Sequence, residues 1–291
     1  MKFSVRPLFL VFFLLLSVSS SADVFMTESF ESGDLVKSNS QGFKWQGPNN
    51  TEVIKGISRP GSQGDQALKF HYAAGQYMAE QRFDLGTPYR ELWLRYWLQV
   101  PENFEHTKTQ PSNNKLFALW MDDYSSKGDG PSVVWEFWSD GKGGSQLAVH
   151  YSAGKYTITG SHLQHKPFIS YPADQGRWMQ VLIHVKAASS RGSNDGIIET
   201  YRRWQDEASF TLLHRLTDAD IASPPAGPNG WKAGYIMGWS NPSYTKNTDW
   251  IVDDVEFSSK QFPNMPSRPL PPGLKDYLFK PRLYLNNRGF L

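Results

Sequence analysis

The sequence contains no cysteine. A domain made from it is held by its core, and by a metal if it binds one, without disulfides. Charge of one sign is not in excess either: 30 Lys and Arg against 28 Asp and Glu give a formal net charge of +2. The basic residues are scattered, so the chain carries no electrostatic footprint for nucleic acid. Internal repeats are absent. Beyond the first two dozen residues no run is apolar enough to cross a bilayer, and no segment has the period of a helix longer than about three turns.

What is present begins with MKFSVRPLFLVFFLLLSVSSSADV. Lys2 and Arg6 precede an apolar run over residues 8–16, and Ser20, Ser21 and Ala22 follow it. An apolar stretch that short, with those flanks, is the pattern of a secretory signal. Cleavage is expected after Ala22, giving a secreted or periplasmic chain with no membrane attachment. The rest is rich in rings, with 11 Trp, 13 Tyr and 18 Phe in the whole sequence. That exceeds the needs of a core, and in an exported β protein it makes carbohydrate the first ligand to consider.

Alternation of apolar and polar residues marks short strands. In residues 91–100 (ELWLRYWLQV), Leu92, Leu94, Tyr96, Leu98 and Val100 fall on one face, with Trp93, Arg95, Trp97 and Gln99 on the other. Residues 178–188 set Met179, Val181, Ile183 and Val185 in a row, and the turn Asn194-Asp195-Gly196 joins them to residues 197–204 as a hairpin. Residues 112–154 hold three aromatic-rich strand candidates, 115–121, 133–138 and 147–152. Residues 67–73, 81–85, 234–240 and 250–258 add further strands. Residues 36–64 are a polar passage rich in Asn and Gly, 160–176 read as a loop, and 212–221 as a helical turn. From Lys260 onward, prolines interleave with Lys and Arg, which suits an extended arm and not a central strand. The chain divides into a signal at 1–22, one domain at 23–258 and a Pro-rich basic tail at 259–291. So many short strands with almost no helix predict an all-β fold, an antiparallel sandwich of jelly-roll type.

The opening FESGDL, the strand ELWLRYWLQVP, the segment NNKLFALWMDDY, and the closing GYIMGWSNPSY and WIVDDVEF resemble the concanavalin A-like lectin/glucanase superfamily. Within it the chain is most similar to the jelly-roll polysaccharide lyases of the glucuronan, alginate and heparin lyase type. The resemblance implies a concave binding face, a uronic-acid polymer as substrate, cleavage by β-elimination and a tyrosine as acid, for which Tyr201 and Tyr244 are candidates. It also implies a structural calcium held by acids from the first and last strands, here Glu28 and Asp253; oxygen ligands suit that ion. The hydrolases of the superfamily carry ExDxxE, and the acids of Trp135-Glu136-Phe137-Trp138-Ser139-Asp140 are spaced differently.

Trp93, Arg95, Trp97 and Gln99 lie about 6.6–7 Å apart along one strand face, a row in which rings stack on sugars and a guanidinium takes a carboxylate. Asn113, Asn114 and Lys115 enter the next strand, and Trp120, Asp122 and Asp123 leave it; the two aspartates suit turn roles. Glu136 shares a face with Trp138, opposite the core pair Trp135 and Phe137, and needs a partner or a purpose; Arg95 is a candidate partner. His150 projects between the small residues Ala148 and Ser152 and is a candidate base. His184 reads as exposed or loop-covered, and His162 and His165 lack a third ligand for zinc.

The expectation is a monomeric exported lyase acting on an acidic polysaccharide. Arg95 and Asn114 neutralise the uronate, His150 is the base, and Glu136 completes the catalytic set. Trp93, Trp97, Gln99, Lys115, Trp120 and Trp138 bind the polymer. The alternatives are a carbohydrate-binding or adhesion protein without turnover, and a glycoside hydrolase in which Glu136 works with a second carboxylate about 5–9.5 Å away.

Overall fold

The computed structural model describes residues 23–35, 38–108, 112–122, 131–154, 158–223, 227, 229–263 and 265. The expected signal segment, Asp123, the side chains of His162 and His165, and the tail beyond residue 265 lie outside them. Among the described residues there is no helix.

Alternating sequences fold into two antiparallel sheets. The first runs β13 (Thr211–Ala219), β12 (Gly196–Trp204), β11 (Trp178–Lys186), β6 (Glu91–Gln99), β15 (Thr248–Ser258), β4 (Gln66–Tyr72) and β3 (Thr51–Lys55). An eighth strand, β1 (Val24–Glu28), pairs with the C-terminal half of β15, where Glu28 faces Val255; β4 pairs with its N-terminal half. The second sheet runs β10 (Ile158–Ile169), β9 (Ser145–Ser152), β8 (Ser132–Ser139), β7 (Asn113–Trp120), β14 (Trp231–Asn241), β5 (Met78–Tyr89) and β2 (Lys44–Asn49).

The apolar rows meet between the sheets. Leu92, Leu94, Tyr96 and Leu98 of β6 and Met179, Val181, Ile183 and Val185 of β11 join Phe117, Leu119, Trp135, Phe137, Leu147 and Val149 in one buried cluster. Rings cross the gap, Tyr96 to Phe117 at 6.2 Å and Trp250 to Phe137 at 5.1 Å between centroids. Polar contacts cross it too: Trp135 Nε1 donates to Thr200 Oγ1 at 2.7 Å. Truncating such a buried ring costs about 3–5 kcal/mol, so these rows fix which side chains point outward.

Three segments differ from the alternation reading. Residues 211–219 form the edge strand β13 instead of a helical turn, and its pairing with β12 slips twice, between Gly196 and Ile198 and between Thr200 and Tyr201. Such slips leave Leu213 and Leu216 buried at a helix-like spacing of three. Residues read as loop form the edge strand β10, whose register slips on both sides of Pro167. Part of the Gly-rich passage forms β2, an edge strand with Pro48 at an irregularity, and β3. Proline is tolerated where a strand has a free edge or a bulge.

Candidate active site

The site is built on the outer face of the second sheet by one bulge. In β7 both Leu116 and Phe117 point into the core, and the register with β8 shifts between Lys115 and Phe117. A bulge re-aims the side chains on either side of it. Asn113 and Lys115 therefore point outward before it, Ala118 and Trp120 after it, and Asn114 points inward.

Lys115 lies directly opposite Glu136 on β8, and its ammonium pairs with Glu136 Oε1. The other carboxylate oxygen accepts from Asn113 Nδ2 at 2.9 Å and from Trp138 Nε1 at 2.6 Å. His150 Nε2 lies 3.4 Å from the same oxygen. The Trp138 and His150 rings sit 5.9 Å apart. Glu136 is thus the hub of a cluster drawn from three adjacent strands. Because its oxygens are taken by the protein's own donors, it orients Lys115 and is poorly placed to attack a sugar.

Burial sets the protonation of the two bases. It pushes the Lys115 ammonium down to about 8, since removing a cation from water favours the neutral amine; only 11% of the side chain reaches solvent. Burial, with the Lys115 charge beside it, pushes His150 down to about 3. His150 is a neutral imidazole at ordinary pH and a weak base. Lys115 is the group poised to give and take a proton near neutrality.

Toward β14 and β5 the face continues in rings. Trp120 packs with Ala118, Ala233 and Tyr235, its ring 6.0 Å from that of Tyr235. The Arg82 guanidinium lies 6.0 Å from the Trp120 ring and pairs with Glu80 at 2.5 Å. Tyr235 and Lys115 both border Gly238: a β-carbon built there would meet Lys115 Cβ at 3.1 Å and Tyr235 Cε2 at 3.2 Å. One residue further, the exposed Trp239 ring stacks on the exposed Tyr77 ring, 4.9 Å and 10° apart.

The structure brings His150, Glu136, Lys115 and Trp138 together, sets Trp120 further along the same face toward β14, and separates the others from them. Asn114 is fully buried inside the sandwich, accepting from Tyr244 Oη at 2.8 Å. Tyr244 also accepts from Trp250 Nε1 at 3.2 Å. Neither reaches the outer face. Arg95 is not the partner of Glu136. Its neighbours Leu94 and Tyr96 are core residues of the first sheet, so it emerges on the opposite side of the sandwich, 2.7 Å from Glu256 and under the Phe262 ring. Trp93, with Leu182, Tyr201 and Phe262, is buried there and stacks on His184 at 3.8 Å. Trp97 packs with Ala67, Trp178 and Ile251. Gln99 donates to the Gly176 carbonyl at 3.2 Å. The covering residues include the first part of the tail, which explains why this row is no open platform. His184 is buried between Glu199 and Glu91, 2.8 Å from each.

Glu28 and Asp253 do not fit a calcium site. The Glu28 carboxylate faces the core, accepting from Phe30 N at 2.9 Å and Trp45 Nε1 at 3.3 Å. Asp253, opposite Trp97, lies on the outer face and accepts from Arg59 N at 2.8 Å. The sheet runs between them.

Alternation alone missed Tyr77, Arg82, Tyr235 and Trp239. Tyr235 and Trp239 are an even number of residues apart, as same-face strand residues are, but Ile236 and Met237 both turn inward between them, and Tyr77 comes from a loop.

With this geometry in hand the chain can be set beside known proteins. It overlays on a doubly substituted alginate lyase Aly36B in complex with alginate trisaccharide, with a TM-score of 0.52, 10% identity, and 81% of this chain and 98% of that one covered. The fold is shared with alginate lyases. A second Aly36B variant, in complex with alginate tetrasaccharide, matches with a TM-score of 0.52 and 11% identity over 84% of this chain and 99% of that one. Alginate lyase vAL-1 from Chlorella virus matches at 0.50 and 13% over 81% and 99%. Those proteins are jelly-roll polysaccharide lyases, and the architecture here is likewise a jelly-roll sandwich of two antiparallel sheets. No protein-family model and no curated protein matches the sequence. At such identities the likeness concerns architecture, and activity has to be argued from the site.

Proposed function

We propose that this chain is an exported lyase that cleaves a uronic-acid-containing polysaccharide by β-elimination, on the outer face of its second sheet. The observation that carries the reading is Lys115: an amine pushed down to about 8 by burial, aimed by Glu136 onto a face lined by Trp120, Trp138 and Tyr235. Elimination removes the proton beside the uronate carboxylate, stabilises the charge that builds on that carboxylate, and returns a proton to the departing glycosidic oxygen. Lys115, as the free amine, takes the first proton. The second N–H of Asn113, which shares Glu136 with Lys115, is the donor beside the base that can meet the carboxylate, the largest electrostatic demand of the reaction. Tyr235, whose ring borders Gly238 beside Lys115, serves in this reading as the phenol that protonates the leaving oxygen. The alginate oligosaccharides carried by fold neighbours support an acidic polymer as ligand.

A second reading, a polysaccharide-binding protein without turnover, is favoured by the exposed Tyr77–Trp239 stack, since rings left in water at a site edge suit sugar faces. Incubating the chain from Asp23 onward with uronate and neutral polysaccharides, while following ultraviolet absorbance and reducing ends, separates the readings. Both signals rising on a uronate polymer, and lost in Lys115→Met, establish elimination. Reducing ends without absorbance indicate hydrolysis. Silence on both, with retention on a polysaccharide gel, leaves the binding protein.

A further inference from the structure

The opposite side of the sandwich carries a cation that the reaction does not use. Arg203 of β12, Gln180 of β11, Trp97 of β6 and Asp253 of β15 are successive cross-strand partners in one row on the outer face of the first sheet. The Arg203 guanidinium lies 5.5 Å from the Trp97 ring centre and 5.1 Å from that of Phe210. Its Nε donates to Gln180 Oε1 at 3.0 Å. Two rings and one amide oxygen fix the plane of the group.

No carboxylate among the described residues touches it. Arg59 and Arg95, the two neighbouring guanidinium groups, each have an acid: Arg59 pairs with Asp254 and Arg95 with Glu256. The remaining acid, Asp253, is occupied by the backbone N–H groups of Arg59 and Asp254, and burial pushes it up to about 6. Arg203 has no carboxylate partner among the described residues, and neither of its terminal nitrogens has a protein acceptor there. Burial and the two flanking arginines shift its own equilibrium toward the neutral form, the direction expected of an uncompensated cation. Arg95 and Arg59 repel the Arg203 charge, and an anion seated on its outer edge would offset that repulsion.

We infer that Arg203 is a second binding site, on the face opposite Lys115, for a carboxylate group of an acidic polysaccharide. A guanidinium held flat with its outer edge free presents two parallel N–H groups, the geometry that a planar carboxylate accepts in bidentate fashion. Trp97 and Phe210 border the group as apolar walls. Because the two sites face away from each other, one long polymer, or two, can be held while the other face works, and affinity for a polymer rises without new contacts at the reacting centre. The choice of a uronate over other anions rests on the proposed function; the anion site itself does not.

The test is retardation of the full chain in native gels containing a polyuronate, a sulfated polysaccharide or a neutral glucan. The parent carries Lys115→Met so that nothing is cut, and Arg203→Gln and Arg203→Lys are made in it. Arg203→Gln is expected to weaken affinity for the polyuronate about tenfold or more, as loss of a charge-assisted pair does, and to leave the neutral glucan unaffected. Arg203→Lys, which keeps the charge and loses the fork, is expected to fall between the two. Added salt is expected to shrink the difference. Equal retardation of parent and Arg203→Gln overturns the inference, and so does an equal loss on the neutral glucan, which would mean that Arg203 only props up Trp97. Retardation by the sulfated polymer alone overturns the carboxylate assignment. Loss in Arg203→Gln, with no absorbance rise from the chain carrying Lys115, sustains the anion site while sinking the lyase.

Discussion

The side chain of Lys115 passes over the α-carbon of Gly238 so closely that a β-carbon there would stand 3.1 Å from Lys115 Cβ. Gly238 also adopts a φ of +150°, donates to Tyr72 Oη at 3.2 Å and accepts from it at 2.5 Å. Sterics, backbone and hydrogen bonds thus all call for glycine under the proposed base. Gly238→Ala is expected to lower stability by about 1–3 kcal/mol and to displace Lys115 and Tyr235, so turnover falls further than stability alone explains. Gly47→Ala is the control, because a β-carbon there meets nothing within 4 Å. Matching melting temperatures for the two variants would refute the tight fit.

Glu136 supports the rest of the cluster. Glu136→Ala leaves Lys115 buried without its acid and removes the acceptor of Asn113 and Trp138. Breaking such a pair from one side costs about 3–5 kcal/mol. Adding Lys115→Met should recover much of that loss, since the stranded charge goes with it. Urea unfolding of the two single variants and the double variant measures the coupling; additive losses would mean that the pair is not coupled.

Much of the fold was legible because burial acts on a period of two. The rows Leu92 to Val100, Trp135 with Phe137, and Met179 to Val185 are core rows, as their alternation indicates. Which sheet a strand joins is not written in its own alternation. β6 and β7 are consecutive in the chain but belong to different sheets, so Arg95 and Glu136, both outward-facing, lie on opposite sides of the molecule. The site was legible in part for the same reason. Glu136, Trp138 and His150 follow from strict alternation in β8 and β9, while Asn114 depends on the position of the β7 bulge, which no residue type announces. The ring row of β6 was visible, but not its cover, because Phe262 lies more than 160 residues further along.

Asn114, Tyr244 and Trp250 form a buried polar chain under the site. Tyr244 Oη donates to Asn114 Oδ1 at 2.8 Å and accepts from Trp250 Nε1 at 3.2 Å. Tyr244→Phe removes both partners at once while keeping the ring. Leaving buried polar groups unsatisfied costs about 1–3 kcal/mol each, so Tyr244→Phe is expected to be clearly destabilised at the unfolding midpoint. Because none of these groups reaches the outer face, kcat per folded molecule should be nearly unchanged. A large fall in kcat at unchanged stability would return Tyr244 to the role of catalytic acid.

The exposed Tyr77–Trp239 stack should govern polymer affinity and not chemistry. Trp239→Ala removes one exposed ring and uncovers the other, and loss of an aromatic contact beyond its buried area is worth about 0.5–1.5 kcal/mol. The expected result is a KM raised several-fold on long substrate with kcat nearly constant, or, for a protein without turnover, weaker retention on a polysaccharide gel. An unchanged KM together with unchanged retention would remove the stack from the binding surface.

Acid should unfold this protein through its buried histidines. Burial pushes His106 down to about 4, and burial with the Lys115 charge pushes His150 down to about 3, against 6.5 for a histidine in water. Between those values and 6.5 the unfolded chain binds protons that the folded chain does not, so stability falls as pH is lowered through that window. Asp253 acts in the opposite sense. Its folded carboxyl is held up at about 6 against 3.8, so in that narrower range the folded state takes the extra proton and gains stability. The histidines span the wider range, so these three groups together lower stability on going from pH 6.5 to pH 3. His150→Asn should flatten the acid limb of a stability–pH curve measured by urea unfolding, whatever it costs at neutral pH, and Asp253→Asn should steepen it. An acid limb of the same slope with and without His150 would show that its imidazole takes up its proton at the same pH in the folded and unfolded chains, and would return His150 to the candidates for the base.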